Sequence, residues 1–159
     1  MRIAAIDPGT TESALVQWDG ERVLSAEICP NPELLCALRN QNLPYRLVIE
    51  QVESYGMAVG REVFETVLWS GRFFEAFEHR RPGMNSARMV PRRTVKLHLC
   101  NSMRAKDANI RQALIDRFGP PGTKKAPGVL YGVKTHLWAA LALAVTAHDA
   151  IEPAKGVGG

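Results

Sequence analysis

The 159-residue sequence predicts a single α/β domain built on a mixed five-stranded sheet flanked by helices. Three observations lead there. Strand-like and helix-like segments alternate in the order β-β-β-α-β-α. Asp19-Gly20 is a strong hairpin signal between the second and third segments. A short apolar run at residues 46–50 returns after a helix-like stretch, the mark of a crossover to a parallel strand.

Each element follows from local chemistry. Residues 2–7 are apolar and stop at Asp7-Pro-Gly-Thr, a turn cluster that leaves Asp7 at the strand's C-terminal edge. Residues 13–18 and 22–29 flank Asp19-Gly20 and complete an antiparallel meander. Residues 30–42 read as a helix with Leu34, Leu35 and Leu38 inward, closed by Pro44. The strand at 46–50 ends in Glu50. Residues 59–80 carry Val63, Val67 and Phe74 at helical spacing, with Phe64, Leu68 and Phe77 beside them, and Arg81-Pro82-Gly83 ends that helix. Met89-Val-Pro91 is a short strand-like piece. Residues 92–99 suit helix or extended chain equally. Residues 106–118 form a firmer helix, stopped by Gly119-Pro-Pro-Gly122, and 122–128 a basic loop. The Ala-rich stretch at 135–147 is apolar all round and so belongs to a nearly buried helix. The domain is expected to span 1–152, with 153–159 a flexible tail.

Composition narrows the function classes. Hydrophobic residues make up 46% and charged residues 23%, as in ordinary soluble domains. No stretch approaches the roughly 18 apolar residues of a membrane span, and Met1-Arg2 leads straight into a strand rather than a signal peptide. A cytoplasmic protein with no membrane association is expected. Cys29, Cys36 and Cys100 have no metal-ligand spacing and read as reduced thiols. Net charge is +4, and the cations concentrate between Arg80 and Lys125, where only Asp107 and Asp116 oppose them. Such a distribution suits a phosphate-binding face, and it also suits a solvated helical surface.

Asp7 and Glu50 carry the chemistry. Alone, Asp7 explains itself as a turn cap and Glu50 as a surface ion pair. Together at the C-terminal ends of adjacent parallel strands, where open α/β sheets build sites, they repel unless a cation neutralises them. Hard oxygen donors select Mg²⁺ or Mn²⁺ over zinc. Two such ions could activate a water and stabilise the leaving oxygen in phosphodiester cleavage.

Several segments together resemble the RuvC family of Holliday-junction resolvases. Ile3-Ala-Ala-Ile-Asp7-Pro-Gly-Thr is similar to the family's first motif and Val48-Ile-Glu50-Gln-Val52 to its second. Val90-Pro91, Val95-Lys96 and Ala105-Lys106 are similar to its basic segment, and Thr135-His136 followed by Ala-Leu-Ala-Leu-Ala to its last helix, which carries an acid or a histidine in its first turn. The stretch starting Tyr55-Gly-Met-Ala and the Lys-Asp-Ala-Asn-Ile-Arg run resemble phage and prophage members.

The resemblance implies an RNase H-like fold and a homodimer that cuts four-way junctions or other branched DNA with Mg²⁺ or Mn²⁺, two ions per site and no small-molecule cofactor. It implies a cytoplasmic setting in a bacterium or phage-infected cell. Asp7, Glu50 and His136 would be metal-binding or catalytic, Lys96 and Lys106 would hold phosphate, and Tyr55 lies near the position of a junction-wedging aromatic. Arg92 and Arg93 are phosphate contacts by charge alone.

The sequence departs from the family where a second acid is usual one turn after His136, because Ala139 stands there. Asp149 is about 20 Å further along a helix, which leaves Glu53 and Asp107 as supporting acids. A module that binds branched DNA without efficient cleavage is the alternative. Asp7-Pro-Gly-Thr-Thr11 also resembles a phosphate motif of actin-like ATPases, but those need a second domain and a second motif.

Overall fold

The computed structural model describes residues 1–40, 45–80 and 86–151. Pro44, the Arg81-Pro82-Gly83 stop, the domain end at 152 and the tail 153–159 lie outside the described residues.

Strands β1 (Ile3–Asp7), β2 (Glu12–Trp18) and β3 (Val23–Pro30) form the expected antiparallel meander. Asp19 closes the β2–β3 turn by accepting the backbone N–H groups of Glu21 and Arg22 at 3.0 and 2.8 Å. Gly20 has φ 103°, and a Cβ there would come within 2.6 Å of the His148 ring. The turn therefore needs glycine both for its backbone and for its close packing on the C-terminal helix.

Helix α1 (Asn31–Asn40) buries Leu34, Leu35 and Leu38, as its spacing predicts. It leads to β4 (Arg46–Gln51), which pairs parallel with β1, and α2 (Arg61–His79) leads to β5 (Ala87–Pro91), parallel with β4. The sheet order is β3-β2-β1-β4-β5. The ambiguous stretch after β5 is helical, as α3 (Arg92–Cys100), and α4 (Asp107–Phe118) and α5 (Leu137–Ile151) complete the chain.

Alternation along the strands divides the core into two layers. Ile3, Ala5 and Val48 pack with Leu114 of α4 and Leu141 and Val145 of α5. Ala4, Ile6, Leu47 and Ile49 pack with Leu34 and Leu38 of α1 and Phe73 and Phe77 of α2. Ten of the 15 residues of α5 are buried, the near-complete burial its composition predicts, and its alanines let it lie close on the sheet.

Helix α2 buries only part of its apolar set. Its buried residues are Ser70, Phe73, Ala76 and Phe77, while Phe64, Val67 and Leu68 are exposed. The helix carries apolar groups on more than one arc, so its periodicity cannot say which arc meets the sheet. In its first half, residues 61–69, no residue is fully buried, and Trp69 packs half-buried against the core.

Candidate active site

β1 and β4 run parallel with Ala5 opposite Val48 and Ile6 opposite Ile49. One step further along that register lie Asp7 and Glu50. Because side chains alternate, Asp7 shares a face with Ile3 and Ala5, and Glu50 with Val48, so both carboxylates point to the layer formed by α3, α4 and α5. Their side chains are only 16% and 13% exposed. Burial pushes Asp7 up from 3.8 to about 7, helped by the charge of Glu50 and resisted by His136 and Arg92. Burial also raises Glu50, against the opposing charge and hydrogen bond of Arg92. Desolvation is thus the main influence on both carboxyls.

His136 sits immediately before α5, and its carbonyl accepts the N–H groups of Ala139 and Ala140 at 3.1 and 3.3 Å. It is thus the boundary residue of that helix, one step ahead of the first-turn position implied by the resemblance. Thr135, at φ 47°, turns the chain into the helix. The imidazole Nδ1 lies 3.5 Å from Asp7 Oδ2, and the ring is otherwise open to solvent. Ala139 lines the same cleft as Asp7 and His136, a space of about 290 Å³ whose walls also include Arg92, Asp107 and Trp138.

Arg92 opens α3 directly after β5, whose Val90 and Pro91 pair with Glu50 and Gln51. Its Nη1 donates to Glu50 Oε2 at 3.0 Å, and its Nη2 donates to Asp107 Oδ1. Charge alone marked Arg92 as a DNA contact; the fold ties it to the carboxylate pair. Lys96, one turn along α3, is half-buried and close enough for its charge to act on Glu50.

Of the remaining expected residues, Asp107 stays in the cleft wall, and Arg93, Glu53, Lys106 and Tyr55 do not line it. Arg93 lies 3.4 Å from Glu53, so Glu53 pairs with a neighbouring cation, and its Oε2 is buried without a hydrogen-bond partner. Asp107 is held by Arg92 and is largely exposed. Lys106 caps α4, where its backbone N–H donates to Asn109 Oδ1 at 2.8 Å and its side chain is exposed. Tyr55 is exposed in the turn after β4, at φ 50°, and lines neither cleft beside Asp7.

Several cations of the basic half have partners of their own. Arg80 donates to the carbonyl of Arg39, Arg117 binds Asp149, and Arg111 stacks 4.8 Å over Trp138 at the edge of the cleft.

Two residues escaped the sequence reading. Ser13 accepts the Gly9 N–H at 3.2 Å and donates to Asn31 Oδ1 at 2.6 Å, while Asn31 Nδ2 donates to the Gly9 carbonyl at 2.9 Å. Both side chains are buried, and they pin the turn after Asp7. That turn lines a second cleft of about 270 Å³, which Asp7 and His136 also border. Asn31 at a helix start reads locally as a cap, and no local pattern indicates its bond to Gly9.

Among the described residues, no group of three His, Cys, Asp or Glu side chains is set to hold a metal ion by itself. Two adjacent, buried carboxylates nevertheless fit Mg²⁺, which typically takes one or two protein carboxylates and completes its shell with water and substrate phosphate.

The chain has the RNase H-like fold of RuvC. It is similar to the Thermus thermophilus RuvC structure with a TM-score of 0.65 and 22% identity over 96% of each chain. It is also similar to T. thermophilus RuvC in complex with Holliday junction substrate, with a TM-score of 0.63 and 23% identity over 92% of each chain. No protein-family model and no curated protein matches the sequence.

Proposed function

We propose that this chain, with the fold of RuvC, is a divalent-metal-dependent endonuclease that cuts phosphodiester bonds in four-way junctions or other branched DNA. The observation that carries the reading is the Asp7–Glu50 pair, buried side by side at the ends of parallel strands. The neighbour bound to Holliday junction substrate supports the substrate class.

Asp7 and Glu50 would hold Mg²⁺ or Mn²⁺, two ions per site, with His136 beside Asp7. The bound ions would activate a water and stabilise charge on the leaving oxygen. His136, open to solvent on one side and against Asp7 on the other, orients that water and accepts its proton. Lys96 and Lys106 hold the phosphate backbone, Arg93 adds a salt-dependent contact, and Tyr55 reaches the junction from its exposed turn. Glu53 and Asp107 support their arginines rather than the ions.

A homodimer would set two sites against opposed strands. Phe64, Val67 and Leu68 of α2, large apolar groups left exposed, support that assembly. No described helix is long and apolar enough to cross a membrane.

A second reading, a module that binds branched DNA without efficient cleavage, is favoured by Ala139 in the cleft and by the guanidinium already seated on Glu50. The two are separated by incubating the protein with a labelled four-way junction and a matched duplex, in Mg²⁺ and in Mn²⁺, with Asp7→Asn as control. Paired nicks in the junction alone, absent from the control, support the nuclease. Tight junction binding without cuts in either metal would sink it.

A further inference from the structure

Arg92 occupies an unusual position for a DNA-binding arginine. Its guanidinium spans Glu50, whose side chain is 13% exposed, and Asp107, whose side chain is 84% exposed. It therefore bridges the interior of the site and its solvent edge. Two of its five donors are used in these bonds, and the side chain lines the cleft that also holds Asp7 and His136. The β5–Glu50 pairing sets the backbone of Arg92 beside the acid, so this contact is built into the sheet rather than reached across a loop.

A divalent cation on Glu50 and a guanidinium 3.0 Å from the same carboxylate oxygen repel each other and compete for its lone pairs. A phosphodiester offers two anionic oxygens that match the guanidinium fork as well as a carboxylate does. We propose that Arg92 is a resident counter-ion: it neutralises Glu50 while no metal is bound, competes with the metal for it, and transfers to a DNA phosphate as the metal enters, with Asp107 keeping it at the edge of the cleft. This rests on the metal-dependent nuclease reading. Its consequence is thermodynamic coupling: DNA that draws Arg92 away tightens metal binding, and metal tightens DNA binding by the same factor. Arg92 is then a positioning residue, delaying assembly of the metal site until a phosphate is present.

The test is direct Mn²⁺ binding to the full chain without DNA, read from the electron paramagnetic resonance signal of the free ion. Arg92→Gln is expected to bind Mn²⁺ on the order of tenfold more tightly than the unsubstituted protein. Lys96→Gln removes the same charge from the same helix without a contact to Glu50, and its shift should be much smaller. Equal shifts in the two variants would assign the effect to the general field and overturn the counter-ion role. Unchanged or weaker binding in Arg92→Gln, where the unsubstituted protein binds, would overturn it too and leave the nuclease reading standing. No binding by any form would overturn both.

A second measurement avoids substitution of the working protein. During an Mg²⁺ titration of the ¹⁵N-labelled chain, the Arg92 Nε–H resonance, assigned from its loss in Arg92→Lys, should move with metal occupancy. A resonance that stays fixed while Mg²⁺ binds overturns the proposal.

Discussion

His136 Nδ1 lies 3.5 Å from Asp7 Oδ2, joining the last helix to the first strand at the C-terminal edge of the sheet. The contact sets an imidazole against a carboxyl raised to about 7. Asp7 therefore changes its charge within the physiological range. His136→Ala is expected to slow single-turnover junction cleavage about 10²–10³-fold while leaving junction affinity nearly unchanged in a gel-shift titration. His136→Asp should restore part of the rate, because a carboxylate can ligate metal at the same place. Parallel loss of binding in both variants would reduce His136 to a structural cap.

The pH dependence of stability follows from Asp7. Its folded value is raised from 3.8 to about 7, so the folded chain holds a proton that the unfolded chain releases. The stability it contributes is complete below pH 3.8 and is lost as pH rises through about 7. In EDTA at pH 8, Asp7→Asn is therefore expected to be more stable than the unsubstituted protein, by on the order of 2–4 kcal/mol, with the gap closing on acidification. Excess Mg²⁺ should stabilise only the unsubstituted chain. Thermal melts across pH 4 to 8 with and without metal check both signs.

Ala139 is half-buried in the first turn of α5 and shares the cleft with Asp7 and His136. An acid there would add an oxygen donor at a helix N-terminus, where negative charge is favoured. Ala139→Asp is expected to tighten Mn²⁺ binding about tenfold, near 1.4 kcal/mol, by calorimetry. Unchanged affinity would mean that this wall of the cleft does not face the ions.

The helical layer behind the site is tied by Asp149. Its Oδ2 accepts from His98 of α3 at 2.7 Å and from Arg117 of α4 at 2.5 Å, and its Oδ1 accepts a second Arg117 bond at 2.9 Å. Burial opposes its charge, but the Arg117 and His98 bonds outweigh burial and hold the carboxyl below its ordinary range. That contribution is present above pH 3.8 and is lost as pH falls through the lower folded value. Asp149→Asn should cost about 1–3 kcal/mol at pH 7 in denaturant melts, with a smaller cost in acid. A loss that persists unchanged at pH 3 would point to packing rather than charge.

On α2, Phe64 and Leu68 are 66% and 61% exposed. Replacing both with glutamate should leave the monomer's melting transition almost unchanged and convert a dimer to monomer in sedimentation velocity. A monomeric unsubstituted protein would remove the dimer from the proposed function.

Much of the fold was legible because it is encoded locally. Asp-Pro-Gly after an apolar run ends a strand wherever the rest of the chain lies, and Asp19-Gly20 closes a hairpin with side-chain bonds inside four residues. The strand returning after α1 runs parallel to the first, as the crossover predicts, and its register sets Asp7 level with Glu50. The uniform apolarity of α5 predicted its burial.

The rest depends on which surfaces meet. The arc of α2 that contacts the sheet is Ser70–Phe73–Phe77, a choice made by packing against α1 and β4 and invisible to a period that several arcs satisfy. Ser13 and Asn31 join through space to hold the turn beside Asp7. Among many cations in the basic half, only the β5–α3 geometry selects Arg92 for Glu50, while Arg117 goes to Asp149 and Arg93 to Glu53. By itself the sequence determined the strands, their direction and the carboxylates at their ends, because hydrophobic period and turn chemistry act over a few residues. The tertiary structure alone decided the partner of each charge, because Coulomb energy follows distance in space and not position along the chain.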